Sequence, residues 1–400
     1  MDVYTQVFAL SMASNIDHMC TGNLADLQDH INTKLPSIVS KIGEDWKISW
    51  GPVVWQHGAT PLPRPGDEQS TPPPPGPDNT WFIANNPSLV FPDGTFNTYI
   101  IAIAGTATRY GWTGEDFRVG NVIDFDNWVK GGLSKPSMHI GLLNQSRAYI
   151  SIGTAKAVYT LLSYAAPGNA VAGQGSTLPS YLESLPDAAT SRIIFTGHSL
   201  GGALSPTLAL ALHQANKMGS FKPENIFVYP TAGPTAGNEP FVTEFQAAFP
   251  PSSPNPTDYK VWNCNVVNNL DVVPLAWNHL DGIPTIYPGL TDSLVQEIKM
   301  FVLAKLKPRL LPDIRMRYTP IQKSSFSGTL PNPLPTTMDE FKLDVFTQHT
   351  TAYLDHFKLP TNVPENKCDG PGLSCLTEQE VLRTCPILSE MAMGTQCGDA

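Results

Sequence analysis

The sequence is short of basic residues and has no cluster of them. Of its 400 residues, 25 are Lys or Arg and 35 are Asp or Glu, which gives a formal net charge of -10. Binding to the phosphates of a nucleic acid depends on clustered basic side chains. The charge pattern therefore predicts that nucleic acid is not a partner of this protein.

Long hydrophobic runs are also missing. No stretch of 18 or more consecutive apolar residues occurs, so no transmembrane helix is predicted. The first residues lack the basic and then apolar pattern of a secretory signal peptide, and none is expected in the chain as given. Apolar residues still make up 41% of the sequence, which is enough for a sizeable core and argues against disorder.

Only six cysteines occur, and the last four include no Cys-x-x-Cys pair and no nearby histidine, so neither a zinc site nor another metal cofactor is predicted. Four of them, Cys368, Cys375, Cys385 and Cys397, lie in the last 33 residues. This density predicts disulfide bonds in a loop-rich, Cys-rich tail over residues 361–400, and with them a secreted protein. The alternative is a cytoplasmic protein with free thiols.

Proline is concentrated in one place, residues 61–78 (PLPRPGDEQSTPPPPGPD). Because proline fixes φ and lacks an N–H group, this segment cannot be a helix or a central strand. We interpret it as an extended surface loop rather than a linker between domains. Residues 1–400 are therefore predicted to form a single domain.

From about residue 97 the pattern alternates between short apolar runs and longer helical ones. Such alternation predicts an α/β fold with a mostly parallel central sheet and helices on both faces. The expected strands and helices, in chain order, are strand Asn97–Ile103, helix Leu142–Tyr164, strand Arg192–Thr196, helix Gly202–Met218, strand Asn225–Tyr229 and strand Tyr259–Val267.

Two further segments have helical periodicity. Residues 24–39 predict a helix in the N-terminal region. Residues 290–306 place Leu290, Leu294, Ile298 and Val302 four apart, which is typical of an amphipathic helix. We expect this helix to pack on the core; the alternative is a mobile lid that lies on lipid.

A nucleophile motif, Gly197-His198-Ser199-Leu200-Gly201, stands between a β-branched run and a helix-forming run. The order strand, sharp turn and helix is the context in which Gly-x-Ser-x-Gly carries a reactive serine. The glycines are needed because the turn is strained and crowded. Ser199 is therefore predicted to be the nucleophile of a serine hydrolase; the alternative is a glycine-rich turn with an uninvolved serine.

A serine hydroxyl needs a base, and the base needs a carboxylate to orient it. In the α/β-hydrolase fold these residues follow the nucleophile in the order acid, then histidine. Asp271 directly follows a predicted strand and is the predicted acid, while Asp281 and Asp292 are less well placed.

Three histidines follow Asp271 in the chain. His279 lies only eight residues further on, which would require a very tight return of the chain. His349 is the predicted base, and His356 is the second choice.

Several separate blocks resemble the class 3 (fungal-type) lipases of the α/β-hydrolase superfamily. They run in the same order over about residues 97–357 of this chain. The blocks are 100–106 with Trp112 and Asp116, 138–142, 197–204, 231–238 with Phe241, 268–274, and His349 with Tyr353.

The resemblance implies roles for five residues. Ser199, Asp271 and His349 would form a catalytic triad. The backbone N–H groups of Thr106 and Leu200 would form the oxyanion hole, in which preset donors stabilise the transition state. A lid would be expected at about residues 107–135.

The implied activity is that of a serine carboxylic-ester hydrolase, a lipase that cleaves acylglycerol esters at a lipid–water interface without a metal or organic cofactor. One alternative is an esterase for soluble esters, of the feruloyl type or monoacylglycerols. A serine peptidase and a non-catalytic, lipase-like binding or signalling module are the others. The sequence predicts no oligomeric state.

Overall fold

The computed structural model describes residues 1–57, 76–105, 119–253, 258–310, 316–359 and 368–375. Its strands are β1 (Cys20–Thr21), β2 (Lys47–Trp55), β3 (Asn79–Phe91), β4 (Gly94–Ile103), β5 (Val122–Asp124), β6 (Tyr149–Ser151), β7 (Arg192–His198), β8 (Ile226–Thr231), β9 (Asn265–Asn268), β10 (Lys323–Phe326) and β11 (Ser374–Cys375). Its α-helices are α1 (Val3–Ala13), α2 (Leu24–Ile42), α3 (Phe125–Lys130), α4 (Ile152–Ser163), α5 (Leu178–Ser184), α6 (Leu200–Gln214), α7 (Glu239–Ala248), α8 (Asp292–Phe301), α9 (Met338–His349) and α10 (Thr351–His356).

Seven strands form the central sheet, in the order β10-β9-β8-β7-β4-β3-β2. Five neighbouring strands, β4, β7, β8, β9 and β10, are parallel, whereas β2 and β3 add an antiparallel edge. The predicted mostly parallel α/β-hydrolase sheet is therefore confirmed. Its parallel strands all end at one edge, where loops gather side chains from several strands.

Helices cover both faces of this sheet, as predicted. Successive strand residues point to opposite faces, so Ile193 and Phe195 pack in the cluster that contains α4 and α6. Ile194, between them, packs in the cluster that contains α1, α2 and α10. Strand β7 is buried along its whole length because it is covered on both sides.

The N-terminal region joins the same sheet. Helix α2 begins at the predicted Leu24, and its N-terminus is capped by the side chain of Asn23. Strands β2 and β3, on either side of the Pro-rich segment, pair antiparallel so that Trp55 faces Asn79. Of that segment, residues 61–75 lie outside the described part of the chain.

Helix α8 confirms the amphipathic pattern of residues 290–306. Leu294, Ile298 and Val302 are buried in a third apolar cluster, which also holds Val272 and Val273 next to the predicted acid. The helix thus packs on the core, and a π-helical turn, Val302–Leu306, continues it. No helix in the described ranges has both the length and the hydropathy needed to span a membrane.

The predicted helix Leu142–Tyr164 starts too early. Residues Tyr149–Ser151 form β6, which pairs antiparallel with β5, and α4 begins only at Ile152. The Ser151 hydroxyl accepts a hydrogen bond from the Thr154 N–H group, which caps α4. A helical pattern in the sequence could not reveal a short strand whose partner lies 27 residues earlier.

The predicted strand Tyr259–Val267 is also shorter than expected, because only Asn265–Asn268 joins the sheet. Of the expected lid, residues 107–118 lie outside the described residues. The remainder of the lid segment forms β5 and α3, in which Phe125 and Trp128 are buried in the core.

One disulfide bond joins Cys20 to Cys368. It ties the C-terminal tail to the connection between α1 and α2, so the prediction of a disulfide-bonded tail is confirmed for Cys368, and the structure gives its partner. Cys375 lies across from Cys20 in the β1–β11 pair, and neither it nor buried Cys264 forms a disulfide bond with another described residue. Cys385 and Cys397 lie outside the described residues.

Removal of this disulfide is expected to lower thermal stability. The bond spans 348 residues, so its loss releases much chain entropy in the unfolded state, on the order of 5 kcal/mol in the simple loop-entropy model. We expect the double variant C20A/C368A to melt at a clearly lower temperature in calorimetry, whereas Cys375→Ser should melt like the wild type. An unchanged melting temperature for the double variant would contradict this expectation.

Candidate active site

Ser199 occupies the sharp turn between β7 and α6, as the motif predicted. Its backbone has φ 59° and ψ -124°, a conformation that costs energy for any residue with a Cβ atom. The flanking residues must be glycines because a side chain at either position would collide with the neighbouring backbone. A Cβ atom on Gly201 would lie 2.3 Å from the carbonyl oxygen of Ile103, and one on Gly197 would lie 2.4 Å from the carbonyl of Gly201.

Leu200 is the first residue of α6. Because the first N–H groups of a helix have no acceptor within it, the Leu200 N–H group is available for an anion. The helix dipole adds partial positive charge at the same point. This is the geometry expected of one oxyanion-hole donor.

The other predicted donor, Thr106, lies outside the described residues. Gly105 immediately precedes it and contacts the nucleophile turn. A Cβ atom on Gly105 would lie 3.3 Å from Cβ of Ser199 and 3.2 Å from the carbonyl oxygen of His198. Gly105, the last described residue before this gap, therefore lies directly beside Ser199.

Asp271 and His349 lie together in the structure. His349 Nδ1 is 2.8 Å from Asp271 Oδ2, although 78 positions separate the two residues in the chain. The Asp271 side chain is fully buried, whereas that of His349 is 12% exposed. The carboxylate also accepts hydrogen bonds from the Val273 N–H group at 2.9 Å and from the Tyr353 hydroxyl at 2.9 Å. A buried carboxylate needs such partners, and here they fix its orientation.

Asn268 connects the acid loop to the end of α9. Its Oδ1 accepts hydrogen bonds from the N–H groups of Leu270 and Gly328, at 3.1 and 2.8 Å. Its Nδ2 donates to the carbonyl oxygen and the side chain of Gln348, the residue before His349. The Asn268 N–H group donates to the Tyr353 hydroxyl at 2.9 Å. The positions of acid and histidine are thus coupled through one side chain.

His198 links the nucleophile turn to His349. Its Nε2 lies 2.8 Å from the His349 carbonyl oxygen, and its Nδ1 lies 2.9 Å from the Thr231 hydroxyl. Burial, and then the neighbouring His349, lower the pKa of His198 well below its usual value. The ring is therefore neutral, with Nε2–H donating to His349 and Nδ1 accepting from Thr231. Since Ser199 follows His198 directly, this chain of bonds ties the serine and histidine segments together.

The other two candidate histidines lie elsewhere. His356 stacks on Phe326 with ring centres 3.8 Å apart and meets Tyr259 edge-on. His279 is the residue before a 3-10 turn, Leu280–Thr285, and its ring lies against Gly282. Of the three, the structure brings only His349 to Asp271.

The alternative acids are also occupied elsewhere. Asp281 forms a salt bridge with Lys307 at 2.8 Å. Asp292 is the first residue of α8, where its charge favours the helix N-terminus.

Sequence reasoning missed two residues of the α1–α2 connection. Asn15 accepts a hydrogen bond from the Gly105 N–H group at 2.8 Å. Burial, and then the charge of His349, lower the pKa of His18 to about 4. Both residues precede the blocks that carry the family resemblance, and a single Asn or His in a helix-to-helix connection gives no sequence signal.

One group of potential metal ligands lies near this connection. Ligand atoms of Asp17, Cys20 and His30 lie within 4.8 Å of one another. However, Cys20 is bonded to Cys368, and His30 Nδ1 is 2.6 Å from Asp17 Oδ1. The group is therefore an ion pair beside a disulfide, in which the thiolate needed for a metal is not available.

Comparison with known proteins agrees with these observations. Residues 100–279 match the family model described as lipase (class 3). No curated protein shows significant sequence similarity to the chain. Among solved structures, M37 lipase aligns with 98% of this chain and 96% of its own, at 20% identity and a TM-score of 0.60.

Two fungal lipases also align over 68% of this chain. The lipase of Rhizopus microsporus var. chinensis aligns over 69% of its own chain, at 15% identity and a TM-score of 0.34. The propeptide complex of Rhizomucor miehei lipase aligns over 62% of its own chain, also at 15% identity and a TM-score of 0.34. Residues 100–279 thus match the class 3 lipase family, and the chain as a whole shares the fold of M37 lipase.

Proposed function

We propose that this lipase-type hydrolase cleaves acylglycerol esters with Ser199 as nucleophile, His349 as base and Asp271 as the orienting acid. The observation that carries the proposal is the 2.8 Å contact between His349 Nδ1 and buried Asp271. It occurs beside a strained serine turn to which His349 is joined through His198.

The reaction is a two-step acyl transfer. Because Nδ1 of His349 is held by Asp271, Nε2 is the nitrogen that takes the Ser199 proton as the hydroxyl attacks the ester carbonyl. The Leu200 and Thr106 N–H groups hold the resulting oxyanion. The tetrahedral intermediate then collapses, and the alcohol leaves with the proton from His349. Water, activated by the same imidazole, attacks the acyl-enzyme and releases the acid.

Tyr353 and Val273 contribute to the role proposed for Asp271. Their two hydrogen bonds keep the carboxylate pointing at Nδ1, where it stabilises the imidazolium that forms in the transition state. The buried Tyr353 hydroxyl remains a donor, because burial and then Asp271 raise its pKa well above the ordinary value.

An apolar surface supports a water-insoluble substrate. Met138, Ile140 and Leu142 alternate along one segment, and Ile140 is 88% exposed. The ring of His139, within this segment, packs against Tyr149, which belongs to the same apolar cluster as Val272 beside Asp271. Exposed apolar side chains that lie close together in the chain are typical of an interaction surface, and we propose that this surface contacts a lipid phase.

The proposal is tested by rate measurements with p-nitrophenyl butyrate and emulsified p-nitrophenyl palmitate, with an inactive serine variant as blank. We expect hydrolysis of both, with the butyrate rate rising further once its concentration exceeds the solubility limit. Saturation below that limit, with no palmitate hydrolysis, would instead indicate an esterase for soluble esters. A folded protein that is inactive on both would indicate a non-catalytic module.

We also propose that the protein acts in an oxidising compartment, as a secreted enzyme. The Cys20–Cys368 disulfide supports this, because such bonds persist outside the reducing cytoplasm.

A further inference from the structure

We propose that Asn15 is a positioning residue for ester hydrolysis, which holds Gly105 against the serine turn and thereby sets Ser199 and the Leu200 N–H group for the oxyanion. This inference rests on the proposed function. It assigns a role to the α1–α2 connection, residues 14–23, which lies outside the region that matches the lipase family.

The Asn15 amide is held at both ends. Its Oδ1 accepts from the Gly105 N–H group at 2.8 Å, and its Nδ2 donates to the Ser11 carbonyl oxygen at 3.1 Å. In the reverse orientation the Asn15 NH2 group would face the Gly105 N–H group, donor against donor. Its side-chain oxygen would face the Ser11 carbonyl oxygen, acceptor against acceptor. The amide therefore has one stable orientation, and it presents an acceptor to Gly105.

Gly105 needs this acceptor because the sheet no longer supplies one. Strand β4 ends at Ile103, and the Ala104 N–H group still donates to the Thr80 carbonyl oxygen at 2.9 Å. The next N–H group, that of Gly105, bonds to Asn15 instead. The backbone there lies so close to Ser199 that a Cβ atom on Gly105 would meet Cβ of Ser199 at 3.3 Å.

The connection that carries Asn15 is itself firmly anchored. The Ser14 hydroxyl donates to the Ser11 carbonyl oxygen at 2.6 Å, and buried Asp17 lies 2.6 Å from His30 Nδ1. Cys20 is fixed by its disulfide bond. A donor in an oxyanion hole acts only if it is preset at the right place, so a rigid support for Gly105 should affect the rate rather than substrate binding.

The experiment compares Asn15→Ala with the matched control Asn86→Ala. Asn86 makes the same two kinds of bond, accepting from the Ser88 N–H group at 2.9 Å and donating to the Glu44 carbonyl oxygen at 2.9 Å. It lies in β3 opposite Thr98, at the end of the sheet remote from Ser199. The control thus separates the general effect of losing a hydrogen-bonded asparagine from the specific effect of losing the support for Gly105.

Three quantities are measured for each variant with p-nitrophenyl butyrate as substrate. They are kcat and KM, the rate at which diethyl p-nitrophenyl phosphate phosphorylates Ser199, and the inhibition constant of p-nitrophenyl butyl ether. The phosphate places an oxygen in the oxyanion position, whereas the ether has no carbonyl and reports only ground-state binding.

We expect Asn15→Ala to lower kcat and the phosphorylation rate about 10- to 100-fold, since loss of a whole donor costs about 10² to 10³. KM and the ether constant should stay unchanged, and Asn86→Ala should keep the wild-type kcat. If the alanine variant does not fold, Asn15→Ser should show the same loss, because its hydroxyl is too short to reach Gly105.

Wild-type kcat in the folded Asn15 variant would overturn the inference. So would equal losses of kcat in both asparagine variants, or a change in the ether constant as large as that in kcat. A wild-type protein whose Ser199 does not react with the phosphate would instead overturn the proposed function, and this inference with it.

Discussion

Ser199→Ala is expected to reduce ester hydrolysis by at least about 10³-fold, because removal of a triad nucleophile has effects of this size or larger. The residual rate would come from the oxyanion donors and from substrate binding, which the substitution leaves in place. Alanine keeps the Cβ atom, so the strain at φ 59° and the fold should be unchanged. The measurement is the rate of p-nitrophenyl butyrate hydrolysis, together with thermal unfolding.

Ser205→Ala is the matched control. Ser205 lies on the same helix, is fully buried, and has no hydrogen-bond partner for its hydroxyl within the described part of the chain. Its removal should leave the rate at the wild-type level. Full activity of Ser199→Ala, or equal losses in both variants, would refute the role proposed for Ser199.

His349→Ala is expected to lose activity to a similar degree. Without the imidazole, no group bonded to Asp271 can take the Ser199 proton. Removal of the histidine alone from a catalytic triad can lower kcat as much as removal of all three residues, by up to about 10⁶-fold. The buried Asp271 carboxylate also loses a partner, so a somewhat lower melting temperature is expected. The measurements are the rate of p-nitrophenyl butyrate hydrolysis and thermal unfolding.

His356→Ala is the control for that substitution. It removes the same ring from the next helix, where His356 stacks on Phe326 and has an unpartnered Nε2 among the described residues. We expect reduced stability from the lost packing and an unchanged kcat. The assignment of the base would be reversed if His356→Ala lost activity and His349→Ala kept it.

The nucleophile turn could be predicted from the sequence because its requirements are local. Gly197 and Gly201 have no Cβ atom that would collide with the backbone, and the runs on either side have clear strand and helix character. Asp271 could be predicted for a related reason, since it follows a strand whose end points to the same edge of the sheet.

The support around these residues could not be predicted in this way. Asn15 reaches Gly105 across 90 positions, and the Tyr353 hydroxyl reaches Asp271 across 82. No periodicity or spacing marks such pairs, because each depends on how α1 or α10 packs against the sheet. The pairing of Cys20 with Cys368 is a similar case, since the sequence reports only that both cysteines exist.

The sequence by itself determined the alternation of strands and helices, the strained serine turn and the order serine, acid, histidine, because these depend on neighbouring residues and chain direction. It left His349 and His356 as rivals, since residues seven apart on one continuous helix face the same side. Only the tertiary structure decided between them. The helix breaks at Thr350, with φ -119° and ψ -74°, and α10 begins at Thr351. That break leaves His349 on Asp271 and turns His356 towards Phe326.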